Sequence, residues 1–241
     1  MSTLFLGEHV PEDVSRYARH VGPDSNEVLA EMEAYAEREG FPIVGPEVGG
    51  WLCQLARMVD ARRVFEFGSG YGYSACWFAR ALPADGEVVL TELDADNLDL
   101  AREYLDRVGA GDLGTFEVGD AVETAGRYDG EFDVALLDVE KYQYVDAFEE
   151  IRESIPPGGV VVADNTMSAG RETADDTVNF EALVRAVDDG SVDLAETDLD
   201  DLGRRSTRGI LDYVERVRDH PDFETTLLPL GDGVTVSVRI R

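Results

Sequence analysis

Lys141 is the only lysine in a chain that holds 21 Lys and Arg residues in all. It stands in Leu136-Leu137-Asp138-Val139-Glu140-Lys141, where a continuous apolar run gives way to charge. A guanidinium keeps its proton at any cellular pH, whereas a lysine amine gives one up when its surroundings demand it. The one titratable ammonium therefore lies beside Asp138 and Glu140, where a strand runs into a loop. One lysine in 241 residues must fall somewhere, so the neighbouring motifs decide whether it does chemistry.

Asp138 closes the run Phe132–Leu137, and Asp164-Asn165 closes Gly159–Ala163. Two carboxylates and an amide oxygen, without sulfur or imidazole, form a hard-oxygen set. Such a set suits Mg²⁺, Mn²⁺ or Ca²⁺ and is poor for zinc. Accidental Asp and Asn pairs abound in so acidic a chain. Their position argues against accident, because adjacent parallel strands bind ligands at their carboxyl ends.

Residues 64–74 read Val-Phe-Glu-Phe-Gly-Ser-Gly-Tyr-Gly-Tyr-Ser. Gly68, Gly70 and Gly72 follow a strand and precede a helix, so the backbone can turn tightly and approach a ligand. A plain strand–helix corner is the bland alternative. The spacing is G-x-G-x-G, not the G-x-G-x-x-G that seats a pyrophosphate. Glu66, two residues before Gly68, suits a ligand with an ammonium and no pyrophosphate. Glu92 ends the next strand 24 residues after Gly68, the place of an acid that accepts both ribose hydroxyls. Asp120, in Gly119-Asp120-Ala121, can accept from an adenine amine while the Ala121 amide meets a ring nitrogen. Acids at the ends of successive strands point to nucleoside binding.

The elements that must position these residues alternate. Residues 25–39 and 46–59 read as helices, the second with Val48, Leu52, Leu55, Ala56 and Val59 on one face. Strands are expected at Arg63–Phe67, Glu87–Thr91, Thr115–Val118, Phe132–Leu137 and Gly159–Ala163. Helices are expected to start near Tyr73, Ala95, Ala121 and Tyr144. This alternation implies a parallel sheet covered on both faces. Phe223–Leu230 and Val234–Ile240 flank Gly-Asp-Gly and read as an antiparallel hairpin. The expected fold is α/β: a doubly wound, mostly parallel seven-stranded sheet ending in that hairpin. One domain, 1–241, is expected, with N-terminal helices (1–60), a core (61–165), an acidic insert or lid (167–206) and a C-terminal helix and hairpin (207–241). The acidic segment carries one expected helix, Val178–Val187, and otherwise reads as a solvated face.

A formal charge of −30 and a pI near 4.2 set the surface against nucleic acid and anionic lipid as partners. Hydrophobic residues still make up 44% of the chain, so the acids have not displaced the core. Acid excess with lysine almost eliminated fits a salt-rich cytoplasm. The first ten residues lack the basic and apolar regions of a secretory signal, and no apolar run reaches about 18 residues. Cys53 and Cys76 are expected as buried thiols, His9, His20 and His220 at the surface, and Trp51 and Trp77 in helix–sheet packing.

The glycine run resembles the first motif, acid-x-Gly-x-Gly-x-Gly, of the Class I S-adenosylmethionine-dependent methyltransferases. The resemblance implies a Rossmann-like methyltransferase sheet. It gives Glu66 and the Gly68–Gly72 loop, with Ser69 and Ser74 of the same run, to the methionine part. It gives Glu92 to the ribose and Asp120–Ala121 to the adenine. Asp138-Val139-Glu140-Lys141 with Tyr144, Asp164-Asn165-Thr166 and Leu228-Pro229-Leu230-Gly231-Asp232-Gly233 are similar to the cation-dependent O-methyltransferases of the catechol and caffeoyl-coenzyme A types. That similarity runs from about Val44 to the C-terminus. It implies Asp138, Asp164 and Asn165 as metal ligands and Lys141 as catalytic base. It also implies Val44, Asp138 and Glu140 near the cofactor, a homodimer, and a small acceptor with adjacent hydroxyls. Glu140 replaces the caffeoyl pattern's second Asp. A nicotinamide-dependent oxidoreductase, or an S-adenosylmethionine binder without catalysis, are the competing classes. NAD binding without S-adenosylmethionine binding would favour the former.

The charge reading has a direct test. Raising salt from about 0.1 M to about 1 M shortens the Debye length from roughly 10 Å to roughly 3 Å and screens the self-repulsion. The melting temperature should rise as KCl goes from low to molar, and an unchanged value removes the high-salt reading.

Overall fold

The computed structural model describes residues 10–167, 178–189, 193–196 and 200–241. Three helices come first: α1 (Glu12–Val21), α2 (Glu27–Glu39) and α3 (Gly45–Met58). The alternating core follows as β1 (Arg63–Phe67), α4 (Tyr73–Ala79), β2 (Glu87–Glu92), α5 (Ala95–Arg107), β3 (Gly114–Val118), α6 (Ala121–Ala125), β4 (Val134–Leu137), α7 (Tyr144–Ile151) and β5 (Val160–Ala163). Then come α8 (Phe180–Asp189), α9 (Asp201–Arg218), β6 (Phe223–Leu228) and β7 (Val234–Arg239).

The seven strands form one sheet in the order β3-β2-β1-β4-β5-β7-β6. Strands β1 to β5 are parallel, and β7 runs antiparallel to both β5 and β6. Side chains alternate between faces, so each central strand feeds two cores. Val64, Val88, Leu90, Val134, Leu136, Val160 and Val162 pack with α2 to α5. Phe65, Phe67, Val89, Ala135, Leu137, Val161 and Ala163 pack with α6, α7 and α9. The doubly wound sheet with a closing hairpin is thus as the sequence implied.

Register is what brings the site together. Phe67 pairs with Leu137, and Leu137 with Ala163. The next residues therefore start one row along the carboxyl edge. Asp138 N donates to Phe67 O (2.9 Å), Asp164 N to Leu137 O (3.1 Å) and Ser69 N to Thr91 O (2.9 Å). Each functional turn thus hangs from the last rung of a neighbouring strand.

Local chemistry accounts for the differences from expectation. β4 begins at Val134, because the Asp133 carboxylate accepts from Arg62 N (2.7 Å) and Arg63 N (2.9 Å), capping β1. β5 begins at Val160, because Gly159 N closes a turn onto Pro156 O. α1 was not anticipated: its apolar residues Val14, Tyr17 and Val21 are exposed, and only Ser15 is buried. α9 starts inside the acidic segment, capped by Asp200 accepting from Gly203 N (2.7 Å). That segment is not a simple solvated face where it is described. Val178, Ala182 and Leu194 are buried, and Asn179 caps α8 while its own N–H meets Thr207.

Cys53 and Cys76 are free and buried. His20 is exposed as expected, while His9 lies outside the described residues. His220 is half-buried at the surface, its ring edge-on against Phe148 and Phe223. Trp77 lies against α3 rather than the sheet alone; a Cβ on Gly49 would stand 2.3 Å from its indole. Trp51 is half-buried against the same cluster. No helix among the described residues is long and apolar enough to cross a membrane.

Candidate active site

Lys141 lies in a single 3-10 turn, Lys141–Gln143, between β4 and α7. Its side chain is buried, and Nζ faces four oxygens: Asn165 Oδ1 at 2.8 Å, Tyr144 Oη at 3.0 Å, Val139 O at 3.2 Å and Asp138 Oδ1 at 3.3 Å. The amine is thus placed as a donor, and it draws the oxygens of Asp138 and Asn165 to one point. Asn165 reaches that point from a left-handed backbone, φ 53°, a conformation Asn tolerates better than most residues.

Asp164 sits beside them, buried, with Oδ1 meeting no partner. Burial first, then the charge of Asp138, push its carboxyl well above the ordinary range; Lys141 and the Asn165 amide act against this, and Asp232 adds to it. A buried carboxylate oxygen without a donor is costly. It fits a place that takes a cation. Among the described residues no three His, Cys, Asp or Glu side chains cluster for a metal, so a three-ligand site here needs the Asn165 amide as its third member. The all-oxygen set matches a hard divalent cation.

The closing hairpin braces this edge. Thr166 N donates to Gly233 O (2.9 Å) and Met167 N to Asp232 O (2.9 Å). A Cβ on Gly233 would stand 2.4 Å from the Met167 side chain. From the other face, Gly209 of α9 lies so close to the lysine turn that a Cβ would come within 2.4 Å of Lys141 O. Neither contact was foreseen from sequence, since the partners are far apart along the chain.

The glycine loop is equally tight. Gly68, Gly70 and Gly72 all have positive φ (79°, 48° and 83°). A Cβ on Gly68 would meet Asp138 O at 2.5 Å, so this glycine lets β1's turn pass β4's. Glu66 belongs to the strand face that Val64 uses to pack against α2 to α5, yet it carries a carboxylate there. It is fully buried, and neither oxygen has a hydrogen-bond partner. Burial pushes its carboxyl up to about 8; Ser74 of α4 favours the charged form without an aligned bond, and Asp138 opposes it. Ser69 is buried and donates to Thr91 O (3.1 Å).

Glu92 is half-buried. It accepts from Leu93 N (2.9 Å), Asp94 N (3.1 Å) and Gly70 N (3.1 Å), tying the glycine loop to the end of β2. Asp120 caps α6 by accepting from Glu123 N (2.9 Å), and its other oxygen accepts from Gln143 Nε2 at 3.3 Å. Ala121 opens α6. Val44 stands at the start of α3, near the hairpin turn: a Cβ on Gly231 would lie 3.8 Å from Val44 O. Glu140 precedes the lysine turn and is exposed. One carboxyl edge thus carries the sequence-derived residues, around the ends of β1, β2, β3, β4 and β5.

The sequence profile of the O-methyltransferase family matches residues 20–240. This chain belongs to the O-methyltransferase family. Among its relatives is a catechol O-methyltransferase of Niastella koreensis, 30% identical over 173 residues, which are 69% of this chain and 78% of that one. A tricin synthase 1 of Oryza sativa subsp. japonica is 28% identical over 230 residues, 90% of this chain and 83% of that one. In structure it is similar to the O-methyltransferase TomG from Streptomyces achromogenes in complex with SAM. The TM-score is 0.75 and the identity 26%, with 95% of this chain and 96% of that one covered.

Glu66 generates a prediction with a definite sign. In the folded apo-protein its carboxyl holds a proton up to about pH 8, whereas the unfolded chain releases it above its ordinary 4.5. The native state then binds more protons in that window, so this group's contribution to stability is lost as pH rises through about 8. The melting temperature of Glu66→Gln should therefore fall less than wild type between pH 5 and 8.5. Parallel curves for the two proteins would show that Glu66 is already ionised when buried.

Proposed function

We propose that this chain moves the methyl of S-adenosylmethionine onto one hydroxyl of a small, catechol-like acceptor, using a divalent cation held by Asp138, Asp164 and Asn165. Mg²⁺ is the first choice, with Mn²⁺ or Ca²⁺ as alternatives. The observation that carries this reading is the meeting of Asp138 Oδ1 and Asn165 Oδ1 at Lys141 Nζ, beside the partnerless Asp164 Oδ1.

The cofactor assignment rests on Glu66 and the glycine loop. A buried carboxylate with no partner is matched by the ammonium of the methionine part, and Gly68, Ser69, Gly70 and Ser74 line the turn beside it. Glu92 is assigned to the ribose, Asp120 and Ala121 to the adenine, and Val44, Asp138 and Glu140 to the surrounding contacts. That TomG was solved in complex with SAM supports the choice of cofactor.

A phenol ionises near pH 10 and is a poor nucleophile at neutrality. A divalent cation held by Asp138, Asp164 and Asn165 would supply Lewis acidity that lowers that value. The chain's residues do the rest. Lys141 Nζ, acting as the neutral amine, takes the proton from the acceptor hydroxyl and becomes the ammonium. The acceptor oxygen then bonds to the methyl carbon as the carbon–sulfur bond breaks, giving a methyl ether and S-adenosylhomocysteine. The catechol and caffeoyl-CoA O-methyltransferases among the relatives support a phenolic acceptor. A net charge of −30 favours an uncharged phenol over a polyanionic coenzyme A ester. A homodimer and a high-salt cytoplasm belong to the same proposal. The dinucleotide reading is weaker, since the turn has G-x-G-x-G spacing and not the G-x-G-x-x-G that seats a pyrophosphate.

In a radiolabelled methyl-transfer screen over vicinal-diol aromatics in molar KCl, activity should appear with Mg²⁺ and vanish with EDTA. Lys141→Ala should lower turnover by at least about 10²-fold with cofactor affinity nearly intact. Full activity in EDTA would dismiss the metal, and an equally active variant would dismiss the lysine as base.

A further inference from the structure

One of the four contacts of Lys141 Nζ comes from a side chain that the mechanism above gives no role of its own. Tyr144 is fully buried at the start of α7, and its hydroxyl donates to the main-chain oxygen of Asp164 at 2.9 Å. A phenol has one hydrogen, so with that hydrogen committed the same oxygen accepts from Lys141 Nζ at 3.0 Å. The ring is fixed edge-on by Tyr213 of α9, also fully buried, at 5.5 Å and 84°. The hydroxyl therefore bridges the turn after β4, which carries the lysine, and the end of β5, which carries Asp164 and Asn165.

The other partners of Nζ have different obligations. Asp138 and Asn165 are assigned to the metal, and Val139 O is the backbone of the turn itself. Tyr144 is the one side chain among the four that is left to the amine. A phenylalanine would fill the same core space, so packing alone does not call for the oxygen. We infer that Tyr144 is a positioning residue, holding Lys141 Nζ in register with the Asp164–Asn165 edge so that the amine stays aimed at the acceptor hydroxyl. This rests on Lys141 being the base.

Tyr144→Phe keeps the ring and removes the bridge. Its kcat should fall about 10-fold or more, with the KM for S-adenosylmethionine within about twofold of wild type. In a Lys141→Ala background the same change should have no further effect on kcat, because both act through one nitrogen. A purely structural role predicts an equal loss in both backgrounds, and that result overturns the proposal. Should Lys141→Ala alone prove as active as wild type, the parent reading fails first, and this one with it. A second readout needs neither metal nor cofactor. With a single lysine, ¹⁵N-lysine labelling gives one ammonium signal, which should move in Tyr144→Phe; an unmoved signal overturns the bridge. If Tyr144→Phe does not fold, Lys141→Ala with ¹³Cζ-labelled tyrosine gives the reciprocal measurement. One buried tyrosine signal should shift, and no shift rejects the contact.

Discussion

Four oxygens within 3.3 Å of one buried nitrogen organise the carboxyl edge of this sheet. They come from the end of β4, the turn that follows it, the first residue of α7 and the end of β5. Asn165 could not meet the other three without the parallel pairing of β4 with β5, in which Leu137 faces Ala163. The pairing places Asp138 and Asp164 side by side in one row, and the left-handed Asn165 turns the chain back toward the lysine. The lysine nitrogen is then the point around which the acidic edge is arranged.

That edge is held at an energetic disadvantage. Glu66 and Asp164 are both buried with oxygens that lack donors, and burial raises the carboxyl of each. An apolar replacement would serve a mere core better. The two hydrophobic layers on either side of the sheet, with the hairpin's bonds to Thr166 and Met167, offset the cost. Both unsatisfied carboxyls lie at strand ends along the edge where such sheets bind ligands. In the reading proposed above, a cofactor ammonium at Glu66 and a metal at Asp164 are the partners these two carboxyls lack.

Much of this was legible in the sequence because its signals are local. Glycine spacing, apolar runs that end in an acid, and a Gly-Asp-Gly turn each declare themselves within a few residues. Parallel order then follows from alternation, and order carries the acids to one edge. What stayed hidden depends on distant partners or on faces without an apolar stripe. The buried side of α9 begins with Gly203, Ser206, Thr207 and Gly209, small residues that give no hydrophobic period. α1 turns its apolar residues outward. Tyr144 was visible as part of a motif, but its bond to Asp164 O depends on strand register. The half-burial of His220 likewise depends on Phe148 and Phe223, which are distant in sequence from each other.

The central claim is that the Asp138, Asp164 and Asn165 oxygens form one metal position next to Lys141. Crystals grown with Mn²⁺ and S-adenosylhomocysteine, measured at the manganese absorption edge, address it directly. A single anomalous peak bonded to all three side chains, with Lys141 Nζ still on Tyr144 Oη, is the expected result. A peak elsewhere, or none here at saturating Mn²⁺, would contradict the account.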